Sequence, residues 1–215
     1  MLNLSDQTTS QLVEMALSGP GQKTWWITRL AMYKALQNTF SSFDNTTTEC
    51  LAISHSEQFG RDVLGLKRSR FVSADYPKCN ILDLQFNDAE FDFCISDQVL
   101  EHIHGNPFKA FSETARVIKP GGLICHTTCF INVVHGAPSD FWRFTPDALK
   151  LMAEDSGLEV KTVGGWGNRE AQGLVNSKYR FHKIPEDPKN PIYQLAMRNE
   201  PDYPVVTWIV ARKPM

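Results

Sequence analysis

The stretch at residues 91–102 reads Phe91-Asp92-Phe93-Cys94-Ile95-Ser96-Asp97-Gln98-Val99-Leu100-Glu101-His102. Its first six residues are mostly apolar, which predicts a buried strand over residues 91–96 that ends at Asp97. In parallel α/β sheets, ligands bind outside the carboxyl ends of the strands. Asp97 and Gln98 therefore mark the expected edge of a binding site.

Strand-like and helix-like segments alternate on both sides of this stretch. The other predicted strands lie at residues 50–53, 70–74, 123–128, 158–163 and 205–211, and helices are predicted at residues 58–66, 108–118 and 146–157. Thr145, Pro146 and Asp147 are typical of a helix start: a cap, a proline and an acid in the first turn. The alternation predicts an α/β domain with a mostly parallel sheet over residues 49–215. Residues 1–48 have helical spacing, notably over 22–40, and predict an N-terminal helical extension or lid.

Composition places the chain among ordinary globular proteins. It has 215 residues, 42% of them hydrophobic and 21% charged, and a formal net charge of −2. This balance excludes disordered and fibrous classes and argues against nucleic acid as a partner. No stretch approaches the roughly 20 apolar residues of a membrane span, and the first residues lack a signal-peptide pattern. The five cysteines are odd in number and form no CxxC pair, so we expect reduced thiols and a cytoplasmic protein.

Three blocks, in order along the chain, carry a family resemblance. They are Asp83-Leu84-Gln85-Phe86-Asn87-Asp88-Ala89-Glu90-Phe91-Asp92, the stretch at 91–102, and Val117-Ile118-Lys119-Pro120-Gly121-Gly122-Leu123. They resemble the D-L-P-F-x-D-x-x-F-D, F-D-x-x-x-S-x-x-V-L-x-H and V-L-K-P-G-G segments of class I S-adenosylmethionine (SAM) dependent methyltransferases with a type-11 domain. The resemblance covers about residues 49–164, and residues 207–214 are similar to the closing strand. It implies a Rossmann-like three-layer α/β sandwich with an antiparallel C-terminal strand, and SAM as the cofactor.

The resemblance also implies which residues contact the cofactor. Asp75, at the end of the second strand, would accept the ribose hydroxyls, and Asp83 with the Leu84 backbone would contact the adenine. Asp97 would lie near the methionine end of SAM. The remaining residues implied at the cofactor are Gln98, His102 and the loop Ser54, His55 and Ser56. For three of these residues a structural role stays open: a loop cap for Asp75, a helix cap for Asp97 and core packing for His102.

The sequence departs from the family pattern in two places. Where the family has an acid followed by G-x-G-x-G, this chain has Ala52, with Ser54, Ser56 and Gln58 at the glycine positions. Glycine permits positive φ angles and close approach of the backbone to a ligand, so the departure bears directly on cofactor binding. Only seven residues separate Asp75 from Asp83, which predicts that the helix and strand usual in this crossover are absent.

A second group of polar residues follows the strand at 123–128. Residues 135–146 read HGAPSDFWRFTP, which looks like a subgroup of these methyltransferases suspected of acting on sugars or other small metabolites. Histidine is the commonest general base in proteins, so His135 is the candidate for taking a proton from an attacking hydroxyl or amine. Asp140 would orient it or bind polar substrate, and Arg143 would hold a carboxylate or phosphate. The alternative is a structural Asp140–Arg143 pair.

No metal ion is expected from the sequence. Glu101, His102 and His104 lie together, but two histidines at this spacing on a helix start project apart, and no third ligand follows at a recognised spacing.

We therefore expect a SAM-dependent methyltransferase of class EC 2.1.1 that acts on a small molecule, with no membrane or nucleic-acid partner. The alternative is a catalytically inactive methyltransferase-like binding or scaffold protein, which the altered loop favours. A nicotinamide-dependent oxidoreductase is disfavoured because no G-x-G-x-x-G follows a strand near the start. The proline- and aromatic-rich residues 176–203 are interpreted as a lid or a homodimer contact.

Overall fold

A computed structural model of the protein describes residues 7–136 and 139–215. Ala137 and Pro138, which belong to the motif at 135–146, lie outside the described residues, as does the start of the N-terminal extension. The described residues form two compact units. One comprises residues within 1–35, 130–133 and 165–206, and the other residues within 36–129, 134–164 and 207–215. The predicted domain division at residues 48 and 49 stays a prediction.

The helices and strands alternate along most of the chain. The strands are β1 (Lys23–Trp26), β2 (Glu49–Ile53), β3 (Arg70–Ala74), β4 (Phe91–Asp97), β5 (Ile118–Cys129), β6 (Glu159–Trp166), β7 (Lys183–Pro185) and β8 (Val206–Arg212). The α-helices are α1 (Gln7–Ser18), α2 (Leu30–Leu36), α3 (Glu57–Phe59), α4 (Pro107–Val117), α5 (Pro146–Asp155), α6 (Arg169–Val175) and α7 (Pro191–Met197). A π-helical turn, Gly60–Leu64, continues α3, and short 3-10 turns lie at Ser41–Phe43 and Leu100–His102.

Within the described residues, six strands form one sheet in the order β3-β2-β4-β5-β8-β6. Strand β2 pairs in parallel with β3 on one side and β4 on the other, and β4 pairs in parallel with β5. From β2 the chain therefore goes first to one neighbour and then to the other, which makes the gap between β2 and β4 the switch point of the sheet. In open α/β sheets this is where ligands bind, at the carboxyl ends of the strands.

The last strand runs against the others, as predicted. The Lys213 amide donates to the Gly122 carbonyl at 2.9 Å, and the Lys213 carbonyl accepts from the Gly121 amide at 2.9 Å. Lys213 thus lies opposite two residues, Gly121 and Gly122, which is the pattern of a β-bulge in an antiparallel pair. The predicted α/β fold, with a mostly parallel sheet and an antiparallel C-terminal strand, is confirmed.

A continuous apolar core lies within the larger unit. Strands β2, β4 and β5 contribute buried Leu51, Ile53, Cys94 and Ile124, and α4 contributes fully buried Phe111. Each such side chain stabilises the fold by about 1.5–3 kcal/mol through removal from water. These near-continuous apolar runs are typical of parallel strands covered on both faces.

Local signals place the helix starts. The Thr145 side chain accepts from the Ala148 amide at 3.1 Å, which confirms the predicted cap of α5. Asn106 caps α4 in the same way, accepting from the Phe108 amide at 3.0 Å. Between β3 and β4, residues 75–90 contain no helix or strand, only an isolated bridge between Asn80 and Asp83. The shortened crossover predicted from the sequence is therefore confirmed.

One local prediction, which concerns the smaller unit, is wrong. Lys23–Trp26, predicted as helix from spacing, forms β1 and pairs antiparallel with β7. Thr24, Trp25 and Trp26 are β-branched or aromatic, and this strand preference outweighs the helical spacing of the apolar residues. Nearby within this unit, Lys34 Nζ donates to Glu186 Oε2 at 2.6 Å. Among the residues that the structure describes, no helix is long and apolar enough to span a bilayer.

Candidate active site

A cavity of about 540 Å³ lies in the larger unit at the carboxyl ends of β2 and β4. Its volume falls within the usual range for small-molecule sites, roughly 300–1,000 Å³. Four predicted cofactor residues line it: Ser54, His55, Gln98 and His102. The other lining residues are Ile53, Tyr76, Cys79, Asn80, Ile81, Val99, Ile103, His104, Ser139 and Phe141. The predicted residues Ser56, Asp75, Asp83, Leu84 and Asp97 are not part of the described lining.

The loop after β2 has a left-handed backbone at two residues that are not glycine. Ser54 and His55 have φ angles of 49° and 63°, in the left-handed region. The Ser54 amide donates to the Ala74 carbonyl at 3.1 Å, so the end of β2 stays tied to the end of β3. Left-handed conformations cost non-glycine residues about 1–2 kcal/mol each. The unusual backbone path of this loop is thus retained at an energetic cost.

Ser56 turns its small side chain into the protein. Its Oγ donates to the Ile53 carbonyl at 2.5 Å and accepts from the Asp97 amide at 2.9 Å. The hydroxyl therefore ties the end of β2 to the end of β4, directly at the switch point. Its predicted contact with the cofactor stays a prediction.

Asp75 binds the altered loop. Its Oδ1 accepts from the His55 amide at 2.9 Å, and its Oδ2 lies 3.3 Å from His55 Nδ1. The His55 side chain is 82% exposed, so this imidazole contact is weak and easily exchanged for another partner. Asp75 Oδ1 is thus held by a backbone amide, whereas Oδ2 meets an exposed imidazole.

The two predicted adenine contacts, Asp83 and the Leu84 backbone, lie in different surroundings. The Leu84 amide donates to Glu113 Oε2 at 2.9 Å, and Arg116 binds both this carboxylate and the Leu84 carbonyl. The Arg116 hydrogen bond holds the pKa of Glu113 below its ordinary value. Leu84 is buried, while Asp83 is exposed. The Leu84 amide, which was expected to contact the adenine, is thus already hydrogen-bonded to the Glu113 carboxylate.

Asp97 and Gln98 are held by the neighbouring strand. Thr127 Oγ1 donates to Asp97 Oδ1 at 2.5 Å, and the Gln98 amide donates to the Thr127 carbonyl at 3.0 Å. Gln98 has a φ of 57°, so the chain turns sharply at this point. The turn directs Gln98 toward the cavity and leaves Asp97 beside Thr127.

The predicted catalytic residues form one hydrogen-bonded group. Asp140 Oδ2 accepts from the His135 amide at 2.8 Å and lies 3.3 Å from His135 Nδ1. Arg143 binds both carboxylate oxygens of Asp140, with Nη2 to Oδ2 at 2.7 Å. This hydrogen bond to Arg143 is the main reason why the pKa of Asp140 is lowered to about 2, although burial opposes it. Asp140 is therefore a charged group in contact with His135, and the structural Asp140–Arg143 pair considered above is present.

This group stands beside the cavity and touches one of its walls. The rings of His135 and His102 meet edge to face, with centroids 5.1 Å apart. His102 Nδ1 lies 2.6 Å from the Ser139 carbonyl oxygen. The amides of Phe141 and Trp142 donate to the Glu101 carbonyl at 2.8 and 3.1 Å, which fastens the loop to the turn below it. His135, Asp140 and Arg143 do not line the cavity themselves, as far as the described residues go.

Several residues that line the cavity are not indicated by the sequence. Tyr76, Cys79 and Asn80 come from the crossover without secondary structure, where no periodicity marks an inward side chain. His104 and Phe141 stack on one another, with centroids 5.2 Å apart, at another side of the cavity. For Tyr76 the sequence did offer a signal, because this residue directly follows Asp75, the acid at the end of β3.

Comparison with known proteins gives a partial family match. Residues 38–126 match the model of a family described as "Methyltransferase domain". No curated protein matches the sequence. Among solved structures, the cyclase SpnF is similar over 96% of this chain and 92% of its own, at 16% identity and a TM-score of 0.53.

Two further structures share the fold. One is the putative methyltransferase of Haloferax volcanii in complex with the Trm112 activator, at 13% identity over 88% of this chain and 94% of its own, with a TM-score of 0.52. The other is phosphoethanolamine N-methyltransferase 2 of Haemonchus contortus in complex with SAM, at 17% identity over 99% of this chain and 58% of its own, with a TM-score of 0.53. At these identities the likeness concerns the fold alone. The predicted resemblance is thereby confirmed: residues 38–126 match the methyltransferase domain family, and the sheet around them has the fold of SAM-dependent methyltransferases.

Proposed function

We propose that the protein is a SAM-dependent methyltransferase that acts on a small-molecule acceptor, such as a sugar or a related metabolite. The observation that carries the proposal is the cavity at the switch point of the sheet, which is lined mostly by the segment that matches the family and completed by Ser139 and Phe141 beyond it. Fold by itself is insufficient support, because a cyclase shares it.

The residues around the cavity fit the cofactor. Ser54, which stands at one of the family's glycine positions, and its neighbour His55 have a left-handed backbone, and Ser56 bonds within the protein. Asp75 offers a carboxylate at the end of β3, whose Oδ2 meets the exposed His55 ring in the described part of the chain. The backbone of Ser54 and His55, together with the side chains of Gln98 and Asp75, would hold the cofactor. When bound, SAM supplies an electrophilic methyl group, and its transfer leaves S-adenosylhomocysteine (SAH).

The chain's own residues would then align the acceptor and remove its proton. Asp140, fixed by Arg143, lies beside His135 Nδ1, so Nε2 is the atom of His135 that would accept a proton from a hydroxyl or amine. Holding the acceptor in line lowers the barrier further without any covalent chemistry by the protein. The aromatic wall of His104 and Phe141 would exclude water on one side of the cavity.

Calorimetric titration with SAM and SAH tests the cofactor. We expect micromolar binding of SAH by the wild-type protein and a loss of about 10- to 100-fold in Asp75→Ala, since hydrogen bonds to a charged group contribute about 1.5–3 kcal/mol. His55→Ala is the matched control: it removes the competing ring and keeps both the backbone amide and Asp75, so SAH affinity should hold or increase. Absence of SAH binding up to millimolar concentration would overturn the proposal.

The base is tested by turnover. His135→Ala should reduce SAH formation about 10²- to 10⁴-fold with a panel of hydroxyl- and amine-bearing acceptors, while SAH affinity stays within twofold. Asp140→Asn, which keeps a hydrogen-bond acceptor for the His135 amide, should reduce turnover less. Loss of SAH affinity in His135→Ala would mean that His135 contacts the cofactor instead.

The alternative is a binding or scaffold protein that has the fold without the reaction. It is favoured by two ligand groups that already have partners inside the chain, Asp75 with His55 and the Leu84 amide with Glu113. The same SAH titration separates the two functions. Cytoplasmic localisation and a homodimer stay predictions.

A further inference from the structure

A turn and a distant loop bring three potential metal ligands together in the larger unit. Glu101 and His102 belong to the 3-10 turn after β4, and His135 belongs to the loop after β5. One ligand atom from each lies within 4.8 Å of the others. The sequence alone predicts no metal site, because no third ligand follows His102 at a recognised spacing. Folding supplies that ligand from a separate segment.

Both histidines are oriented through the same ring nitrogen. His102 Nδ1 lies 2.6 Å from the Ser139 carbonyl oxygen, and His135 Nδ1 lies 3.3 Å from Asp140 Oδ2. A carbonyl or carboxylate at Nδ1 fixes the tautomer in which Nε2 is the ligand, and metal-binding histidines in proteins almost always have such a partner. Arg143 neutralises Asp140 and holds it in place, which makes the orientation of His135 rigid.

The ring geometry agrees with a shared ion. Two imidazoles bound through Nε2 to one zinc ion at about 2.0–2.1 Å, near the tetrahedral angle, have centroids about 5 Å apart. The rings of His102 and His135 are 5.1 Å apart and nearly perpendicular, at 85°. Only small side-chain movements would therefore bring the three ligand atoms to bonding distance.

Glu101 is the negatively charged member of the cluster. Its side chain is fully buried, and Oε2 accepts from Thr128 Oγ1 at 2.8 Å. Burial of a carboxylate is costly unless positive charge or hydrogen bonds compensate it, and a divalent ion between Glu101 and the two rings would add such compensation. One wall remains open, because His102 also lines the cavity.

From this arrangement we infer that Glu101, His102 and His135 bind one divalent transition-metal ion, with zinc as the best match. Two imidazoles and one carboxylate are a ligand set of catalytic zinc sites, in which the fourth position faces the substrate cavity. Metal binding itself needs no SAM. It does bear on the proposed function, because His135 Nε2 is a ligand with the ion bound and a base without it. Bound zinc therefore inhibits methyl transfer if His135 is the base.

The test is calorimetric titration with Zn²⁺ alone, on protein first dialysed against a chelator. We expect one zinc ion per chain, with affinity reduced at least about 100-fold in His102→Ala and in His135→Ala, since outer-shell partners alone are typically worth 10- to 100-fold. Glu101→Gln should give the same loss and retains the shape of the buried side chain. The control is His104→Ala, an exposed histidine of the same segment outside the cluster, which should bind zinc as wild type does.

Thermal melts of each variant show that it is folded before its affinity is interpreted. The inference is overturned if folded wild-type protein takes up no zinc, or if His104→Ala weakens binding as much as His102→Ala. SAH titration of the same samples keeps the two proposals apart. Zinc binding with the expected variant pattern but without SAH binding supports the metal site and overturns the methyltransferase function. Zinc binding without inhibition of methyl transfer supports the site and overturns the base role of His135.

Discussion

His126 should make the stability of the protein depend on pH in a defined window. It lies fully buried in β5, next to Thr127, which holds Asp97. Its Nδ1 is 2.8 Å from Ser96 Oγ, and its ring packs edge to face on Phe111. Burial lowers the pKa of His126 from 6.5 to about 3. The imidazole is therefore neutral in the folded state across the physiological range.

The sign of the effect follows from where the proton binds. Between about pH 6.5 and pH 3 the unfolded chain takes up a proton at His126 and the folded chain does not. Stability from this group is therefore fully present above pH 6.5 and is lost as the pH falls toward 3. With these two pKa values, the free energy of unfolding decreases by about 2 kcal/mol between pH 7.5 and pH 5 through His126 alone.

Urea unfolding of wild type and His126→Asn at these two pH values measures this term. Asparagine retains a polar atom near Ser96 and does not titrate, so the variant should be less stable at pH 7.5 and lose about 2 kcal/mol less than wild type on going to pH 5. The difference between the two proteins cancels every other titrating group. A difference that is the same at both pH values would refute the assignment of a buried neutral imidazole.

Three further predictions concern stability. Gly60→Ala would put a Cβ 2.6 Å from Phe71 Cε1, so we expect a loss of about 1–3 kcal/mol in urea unfolding; a neutral result would mean that the ring moves freely. Ser54→Gly should raise the unfolding free energy by about 0.5–1 kcal/mol, since relief of the left-handed strain exceeds the entropic cost of glycine, and a lower melting temperature would contradict this. Asp140→Asn should cost about 1.5–3 kcal/mol, because Arg143 loses its charged partner; a change below about 0.5 kcal/mol would show that the pair is not stabilising.

The sheet and its helix starts could be predicted because their signals are local. The apolar run at residues 91–96 became β4, and Thr145 with Pro146 opened α5 where expected. The shortened crossover after Asp75 was also visible, since seven residues are too few for a helix and a strand. The segment Lys23–Trp26 was mispredicted because its apolar spacing satisfies a helix while its residue types favour a strand that pairs with a distant segment.

Pairings between distant residues explain what the sequence could not show at the site. Glu113 reaches the Leu84 amide from helix α4, and no pattern near either residue indicates the contact. His135 meets His102 only because the loop after β5 is fastened to the carbonyl of Glu101. Residue types suggested which side chains carry chemistry, whereas their partners depended on the tertiary structure.

The altered loop after β2 bears on the choice between enzyme and scaffold. Ser54, Ser56 and Gln58 stand where the family pattern has glycine, which suggests at first that the cofactor loop is lost. The backbone nevertheless follows a left-handed path at Ser54 and His55, at about 1–2 kcal/mol each, and bonds to Ala74 and Asp75 hold it there. Strain of this kind persists only where the surroundings enforce it, and it concentrates at ligand sites. Because this strained loop borders the cavity at the switch point, a ligand-binding function accounts for it better than a scaffold, which would need no such loop.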